Sequence, residues 1–94
     1  MKLYVGFEIF DTVIRPDDVN RAIDTFTEAM NKLSDTIESG GVFAGKRGGY
    51  MVLNLATEDE AFHALAELVD FGTFEIQPLA SFETLGRYLA SHRL

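Results

Sequence analysis

Residues 2–10, KLYVGFEIF, alternate with a period of two, which is the spacing of side chains on the two faces of a β-strand. The segment that follows begins at Pro16, a residue suited to the first turn of a helix. Its apolar residues recur at three- and four-residue spacing as far as Ile37, and Gly40 is the expected C-terminal cap. A strand followed by one long amphipathic helix is the first half of a βαβ unit.

A glycine-rich stretch, GVFAGKRGGYMVLNLA at 41–56, follows this helix. It predicts two strands, 42–46 and 49–56, joined by a tight turn in which glycine supplies positive φ angles. A Walker phosphate loop needs Gly-x-x-x-x-Gly-Lys-Ser/Thr leading into a helix, whereas these glycines lead into a strand. We therefore predict a hairpin. The alternative is that Lys46 or Arg47 contacts an anion at the mouth of a pocket.

The second half of the chain repeats the strand and helix signals. Thr57 and Glu60 have the spacing of a capping box, and Gly72 is expected to end the helix that follows. Residues 73–79, TFEIQPL, predict a strand at an edge or end, and Ser81 is expected to cap a last amphipathic helix. Apolar residues share one side of each helix: Ala61, Phe62, Leu65, Leu68 and Val69 in the first, and Phe82, Leu85, Tyr88 and Leu89 in the second.

The order β-α-β-β-α-β-α predicts an α+β fold: one ferredoxin-like domain over residues 1–94, with an antiparallel sheet. Right-handed crossovers place strands one and three in the centre and both long helices on one face. The opposite face would remain without a helix unless the C-terminal helix covers it. That face carries Tyr4, Glu8, Phe10, Tyr50, Val52, Asn54, Glu75 and Gln77. Its apolar and aromatic content predicts an interface, which a sheet-to-sheet homodimer would bury.

Composition limits the partners. The net charge of −7 argues against nucleic acid or an anionic membrane. No stretch approaches the roughly 20 apolar residues of a membrane span. The chain has no cysteine, which rules out disulfide and thiolate chemistry. We expect a cytoplasmic protein.

Glu8 is the residue best suited to acid/base chemistry. It lies on a central strand among aromatic neighbours, where loss of water would favour reversible protonation. Tyr4, Tyr50 and Asn54 are the candidate substrate-binding residues, because their polar groups can hold a carbonyl or a carboxylate. The alternative is that Glu8 only forms a salt bridge across the dimer interface or stays solvated.

The two histidines support less specific chemistry. His63 shares a helix face with Glu60 and Glu67, which is typical of a solvated surface, and a His63–Glu67 metal pair lacks further ligands nearby. His92 lies in the last helical turn, where a cation suits the dipole. Neither has a serine or aspartate at triad spacing, so we predict no metal site and no nucleophilic catalysis.

The run GVFAGKRGGYMVLNLATEDEAFHALAEL, followed by TFEIQPL, resembles the muconolactone isomerase-like group of the dimeric α+β-barrel superfamily. The resemblance implies a dimer or larger assembly and a pocket between sheet and helices. It also implies cofactor-free proton transfer on a small lactone or organic acid. The alternative is a non-catalytic dimerising module that binds a metabolite or only itself. A haem enzyme of the same superfamily is a third option, for which His63 is badly placed.

Overall fold

Four antiparallel strands form one sheet in the computed structural model, which describes residues 1–93. The sheet order is β2-β3-β1-β4, so the first and third strands are central, as predicted. Two helices lie between the strands in the chain and a third follows the last strand, which confirms the ferredoxin-like α+β arrangement. The elements are β1 (Lys2–Ile9), α1 (Pro16–Leu33), β2 (Ile37–Val42), β3 (Gly48–Asn54), α2 (Glu58–Leu65), β4 (Gly72–Leu79) and α3 (Phe82–Ser91).

The core lies between one face of the sheet and the helices α1 and α2. On the central strands Leu3, Val5 and Leu53 are completely buried, as the alternation predicts. Phe7 stacks on Phe26 of α1 with ring centroids 5.8 Å apart. The inward positions of the sheet therefore belong to one hydrophobic cluster with the helices.

Helix α1 is shorter than the sequence predicts. It begins at Pro16 as expected but ends at Leu33, and Ser34–Thr36 form a 3₁₀ turn. The hydroxyl of Thr36 donates to the Leu33 carbonyl at 2.7 Å, which offers the chain a local alternative to the helical hydrogen bond. Ile37 continues the apolar spacing from strand β2, and Gly40 lies inside that strand rather than capping the helix.

The hairpin of β2 and β3 is confirmed, but β2 lies earlier than the predicted 42–46. The prediction of positive φ was wrong, since no glycine of the chain has one. Instead the glycines permit close approach of neighbouring backbones. A Cβ on Gly48 would lie 2.0 Å from the carbonyl oxygen of Phe7, and one on Gly49 would lie 2.5 Å from that of Gly41.

Helix α2 also ends early, at Leu65, and a 3₁₀ segment, Ala66–Asp70, leads into β4. Thr57 is extended at the N-cap but its side chain makes no capping hydrogen bond, so the predicted capping box does not form. The predicted apolar side of this helix is only partly covered. Ala61, Leu65 and Leu68 are buried, whereas Phe62 and Val69 are about half exposed.

Helix α3 projects from the rest of the chain. Ser81 caps it as predicted, with its hydroxyl accepting from the Thr84 amide at 3.1 Å. Every side chain from 82 to 91 is exposed, so the helix does not cover the outer face of the sheet. The radius of gyration of 15.9 Å exceeds the roughly 12 Å of a compact chain of this length. Across residues 1–93, the helices are too short or too polar to cross a membrane.

Candidate functional site

The predicted aromatic residues meet on the outer face of the sheet. Tyr4 on β1 and Tyr50 on β3 stack with ring centroids 5.9 Å apart, and Phe43 stacks on the other side of Tyr50 at 6.3 Å. The register explains the contact, because Tyr50 pairs with Gly6 and so lies diagonally from Tyr4. The missing side chain at Gly6 gives the two rings room. These three rings form a partly exposed aromatic row.

Glu8 lies at the end of β1 nearest the hairpin. Its carboxylate is 4.0 Å from the Lys46 ammonium, and about half of its side chain is exposed. On the two neighbouring strands its register partners are Gly48 and Thr73. In the single chain Glu8 is therefore a partly solvated carboxylate paired with a hairpin lysine.

Asn54 lies at the opposite end of the same strand pair. Its register partner on β1 is Lys2. Lys2 is six positions from Glu8, and six residues of extended chain span roughly 20 Å. The structure thus brings Tyr4 and Tyr50 together between these two polar residues. It does not bring Asn54 to Glu8.

A cavity of about 660 Å³ lies on the other face of the sheet, beneath α1. Its origin is the glycine content of the hairpin. Gly40 and Gly49 occupy the inward register positions opposite the buried residues Met51 and Phe7, so they present no side chain for α1 to pack against. The residues lining the cavity are Val5, Phe7, Ile9, Val13, Val19, Ala22, Ile23, Phe26, Thr27, Met30, Ile37, Gly40, Gly41, Val42, Arg47, Gly48, Gly49, Tyr50 and Met51.

Arg47 is the charged residue of this lining within residues 1–93. Its Nη2 donates to the Val13 carbonyl at 2.6 Å, and its own carbonyl accepts from the Ile9 amide at 2.8 Å. The backbone contact joins the hairpin to the end of β1, and the contact with Val13 joins the guanidinium to the loop after β1 and holds it at the cavity. The remaining N–H groups of its planar fork suit a carboxylate or a carbonyl oxygen.

From the sequence, an anion contact of Lys46 or Arg47 was the alternative to a plain hairpin turn, and the family resemblance implied a pocket between sheet and helices without giving its lining. The sequence did contain an indication of where the cavity lies, because two adjacent strands have glycine at inward positions, opposite a helix with large apolar side chains. Of the predicted site residues, only Tyr50 also borders the cavity. Within residues 1–93 its lining has no carboxylate and no histidine.

The histidines lie elsewhere. His63 is exposed on α2. His92 stacks on Tyr88 at 4.1 Å and lies 3.0 Å from the Ser91 hydroxyl at the end of α3. No group of three His, Asp or Glu side chains in the described residues is arranged to hold a metal ion.

Solved structures support the fold assignment. The chain is similar to muconolactone isomerase, with a TM-score of 0.67 at 17% identity, over 86% of this chain and 90% of that one. It is also similar to 5-chloro-2-hydroxyhydroquinone dehydrochlorinase from Burkholderia phenoliruptrix AC1100, with a TM-score of 0.55 at 15% identity, over 85% and 94%. No model of a known protein family matches, and neither does any curated protein. The predicted resemblance is thereby confirmed for the fold.

Proposed function

We propose that this chain binds a small, largely apolar organic acid or lactone in the cavity beneath α1, with Arg47 holding its carboxylate or carbonyl group. The observation that carries the proposal is the cavity itself, about 660 Å³ of almost wholly apolar lining with one guanidinium. Ligand sites in proteins typically have this volume and this balance of apolar walls with few polar groups. The chain would then act as a metabolite-binding module, or as an enzyme whose substrate binds in this cavity.

The structural neighbours support a ligand of this size. One is an isomerase named for muconolactone, and the other was solved with 2,5-dihydroxybenzoquinone, a small oxygenated ring. Both share this fold at low sequence identity, so they support the class of ligand rather than a particular compound.

The three methionines offer a direct test of where a ligand binds. Met30 and Met51 line the cavity, whereas Met1 lies outside it. In a sample with ¹³C-labelled methionine methyl groups, titration with benzoate or muconolactone should shift the Met30 and Met51 signals and leave Met1 unchanged. Saturable shifts confined to Met1, or no saturable shifts with either compound, would contradict the cavity as the binding site.

Cofactor-free proton transfer at Glu8 is the second candidate function. It is supported by the position of Glu8 on the same face of the sheet as the Tyr4–Tyr50 pair, which lies farther along the strands. A homodimer formed through this face would enclose Glu8 and both rings and remove water from them. Tyr4, Tyr50 and Asn54 remain the proposed substrate-binding residues, with Asn54 serving a distant part of the substrate or the partner copy's site.

Deuterium exchange provides an assay that needs no assumed product. Muconolactone in D₂O should exchange its acidic carbon-bound hydrogens faster with the wild-type chain, and Glu8→Gln should lower that rate about 100-fold or more. Glu75→Gln is the matched control, because Glu75 is an exposed carboxylate on the same face of β4. Equal rates for both variants would remove Glu8 from the proposal.

A further inference from the structure

The cavity beneath α1 is larger than a single small ring needs. In another protein an apolar cavity of about 150 Å³ is enough to bind benzene, whereas this cavity measures about 660 Å³. Benzoate or a lactone would therefore occupy only part of it. Apolar lining that stays in contact with water adds no affinity, so the size of the cavity indicates a longer ligand.

The lining extends along the strands and along α1. On β1 it runs from Ile9 to Val5, four positions that span roughly 13 Å of strand. On α1 it runs from Val19 to Met30, eleven positions that span roughly 16 Å of helix. An extended hydrocarbon chain advances about 1.2 Å per bond, as each of the three bonds of an extended residue does. The cavity therefore matches the length of an acid of about 10–12 carbons.

Arg47 lies at one end of this length. Its guanidinium donates to the Val13 carbonyl in the loop before α1, and its carbonyl accepts from the Ile9 amide. Met51 follows Arg47 by four positions along the hairpin and β3, and its register partner on β1 is Val5. A carboxylate held by Arg47 would thus leave the rest of the ligand directed along the strands towards Met51.

The far end of the cavity is apolar. Its side chains are those of Val5, Met30, Ile37 and Met51. Within residues 1–93 the lining has two polar side chains besides Arg47, and both lie away from this end: Thr27 is exposed on α1, and the Tyr50 ring stacks on Tyr4 on the outer face of the sheet. A second polar group on the ligand would exchange water for hydrocarbon and thioether groups there, at a cost in affinity. The lining suits one carboxylate and one apolar tail.

We propose that the ligand of this cavity is a medium-chain monocarboxylic acid of about 10–12 carbons, with its carboxylate on Arg47 and its chain extended along α1 to Met30. The inference rests on the proposed function, because it needs the same cavity and the same arginine. It adds the tail, which makes the far end of the cavity a determinant of ligand length.

Isothermal titration with benzoate, hexanoate, octanoate and decanoate measures the contribution of the tail. Each further methylene that leaves water should tighten binding about three- to fourfold, so decanoate should bind at least about thirtyfold more tightly than hexanoate. Binding of benzoate with a gain of less than tenfold from hexanoate to decanoate would overturn this inference and leave the proposed function standing. Failure of all four acids to bind would contradict both.

A filled far end tests where the tail lies. Met30→Trp adds bulk at that end, and Asn31→Trp places the same ring at the next position of α1, which is exposed and outside the lining. The ratio of decanoate affinity to benzoate affinity should fall at least tenfold in Met30→Trp and stay at the wild-type value in Asn31→Trp. Equal ratios in the two variants would overturn the placement of the tail.

The wild-type chain provides a further check that does not depend on the folding of either variant. Decanedioate has the length of decanoate but carries a second carboxylate, which would meet the apolar far end. It should bind at least tenfold more weakly than decanoate. Equal affinity for the two acids would overturn the inference.

Discussion

Gly48→Ala tests the finding that the hairpin glycines serve backbone approach rather than unusual backbone angles. The added Cβ would lie 2.0 Å from the Phe7 carbonyl oxygen and 3.0 Å from Cα of Glu8, both backbone atoms of the central strand. Relief of the first contact needs about 1 Å of separation between β1 and β3. Ladder hydrogen bonds at this end of the strand pair do not survive that displacement.

The cost combines overpacking with lost hydrogen bonds. Overpacking costs typically 1–3 kcal/mol, and each lost bond about 1 kcal/mol. We therefore expect Gly48→Ala to lower the free energy of unfolding by about 3 kcal/mol, which for a domain of this size lowers Tm by roughly 12–24 °C. Urea and thermal unfolding followed by far-UV circular dichroism measure both quantities.

Gly45→Ala is the control within the same hairpin. A Cβ at Gly45 would meet no atom within 4 Å. Its φ is not positive, so alanine fits there, and the loss of freedom in the unfolded chain should leave stability unchanged or raise it by up to about 1 kcal/mol. Equal stability of the two variants would refute the close-approach explanation of the hairpin glycines.

Two further substitutions test the core and the outer face of the sheet. Leu53→Ala removes a completely buried side chain and should lower the free energy of unfolding by about 2–5 kcal/mol in urea titration; a cost below 1 kcal/mol would contradict its place in the core. Val52→Lys puts a cation on the proposed sheet-to-sheet interface and should weaken self-association in sedimentation at micromolar concentration. Asn31→Lys adds the same charge at an exposed position of α1, on the other side of the sheet, and should not, so equal effects would argue against that interface.

The strand order was predictable because two right-handed crossovers joined by a hairpin place strands one and three in the centre of the sheet. The inward residues Leu3, Val5 and Leu53 are buried for the reason that the pattern gave. The ends of the helices were harder to predict. Ile37 follows Leu33 at helical spacing, but a strand residue that points to the same core can have the same spacing. The helix ends at Leu33, where the Thr36 hydroxyl donates to the Leu33 carbonyl.

The candidate site was harder to predict than the fold. By alternation, one face carries Glu8, Tyr4, Tyr50 and Asn54. The pattern does not give the register between β1 and β3, which places Asn54 opposite Lys2 and away from Glu8. The resemblance implied a pocket between sheet and helices, but not its lining. The cavity lies where Gly40 and Gly49 have no side chain, and residues selected for their chemical groups do not indicate such a place. The amphipathic pattern of α3 predicts a helix with one apolar side. It does not predict which surface that side packs against, so it did not predict that α3 is exposed.

The central claim is that the cavity binds a small organic acid through Arg47. Isothermal titration with benzoate, and with neutral benzamide as the ligand of matched shape, tests it on the wild-type chain, Arg47→Gln and Lys46→Gln. Lys46 is a cation of the same hairpin that is paired with Glu8 and does not line the cavity.

A hydrogen bond to a charged group contributes about 1.5–3 kcal/mol. Arg47→Gln should therefore weaken benzoate binding about tenfold or more. Benzamide binding should weaken less, because its carbonyl carries no charge, and Lys46→Gln should retain wild-type affinity for both ligands. Equal loss of benzoate affinity in the two variants, or unchanged affinity in Arg47→Gln, would contradict the account.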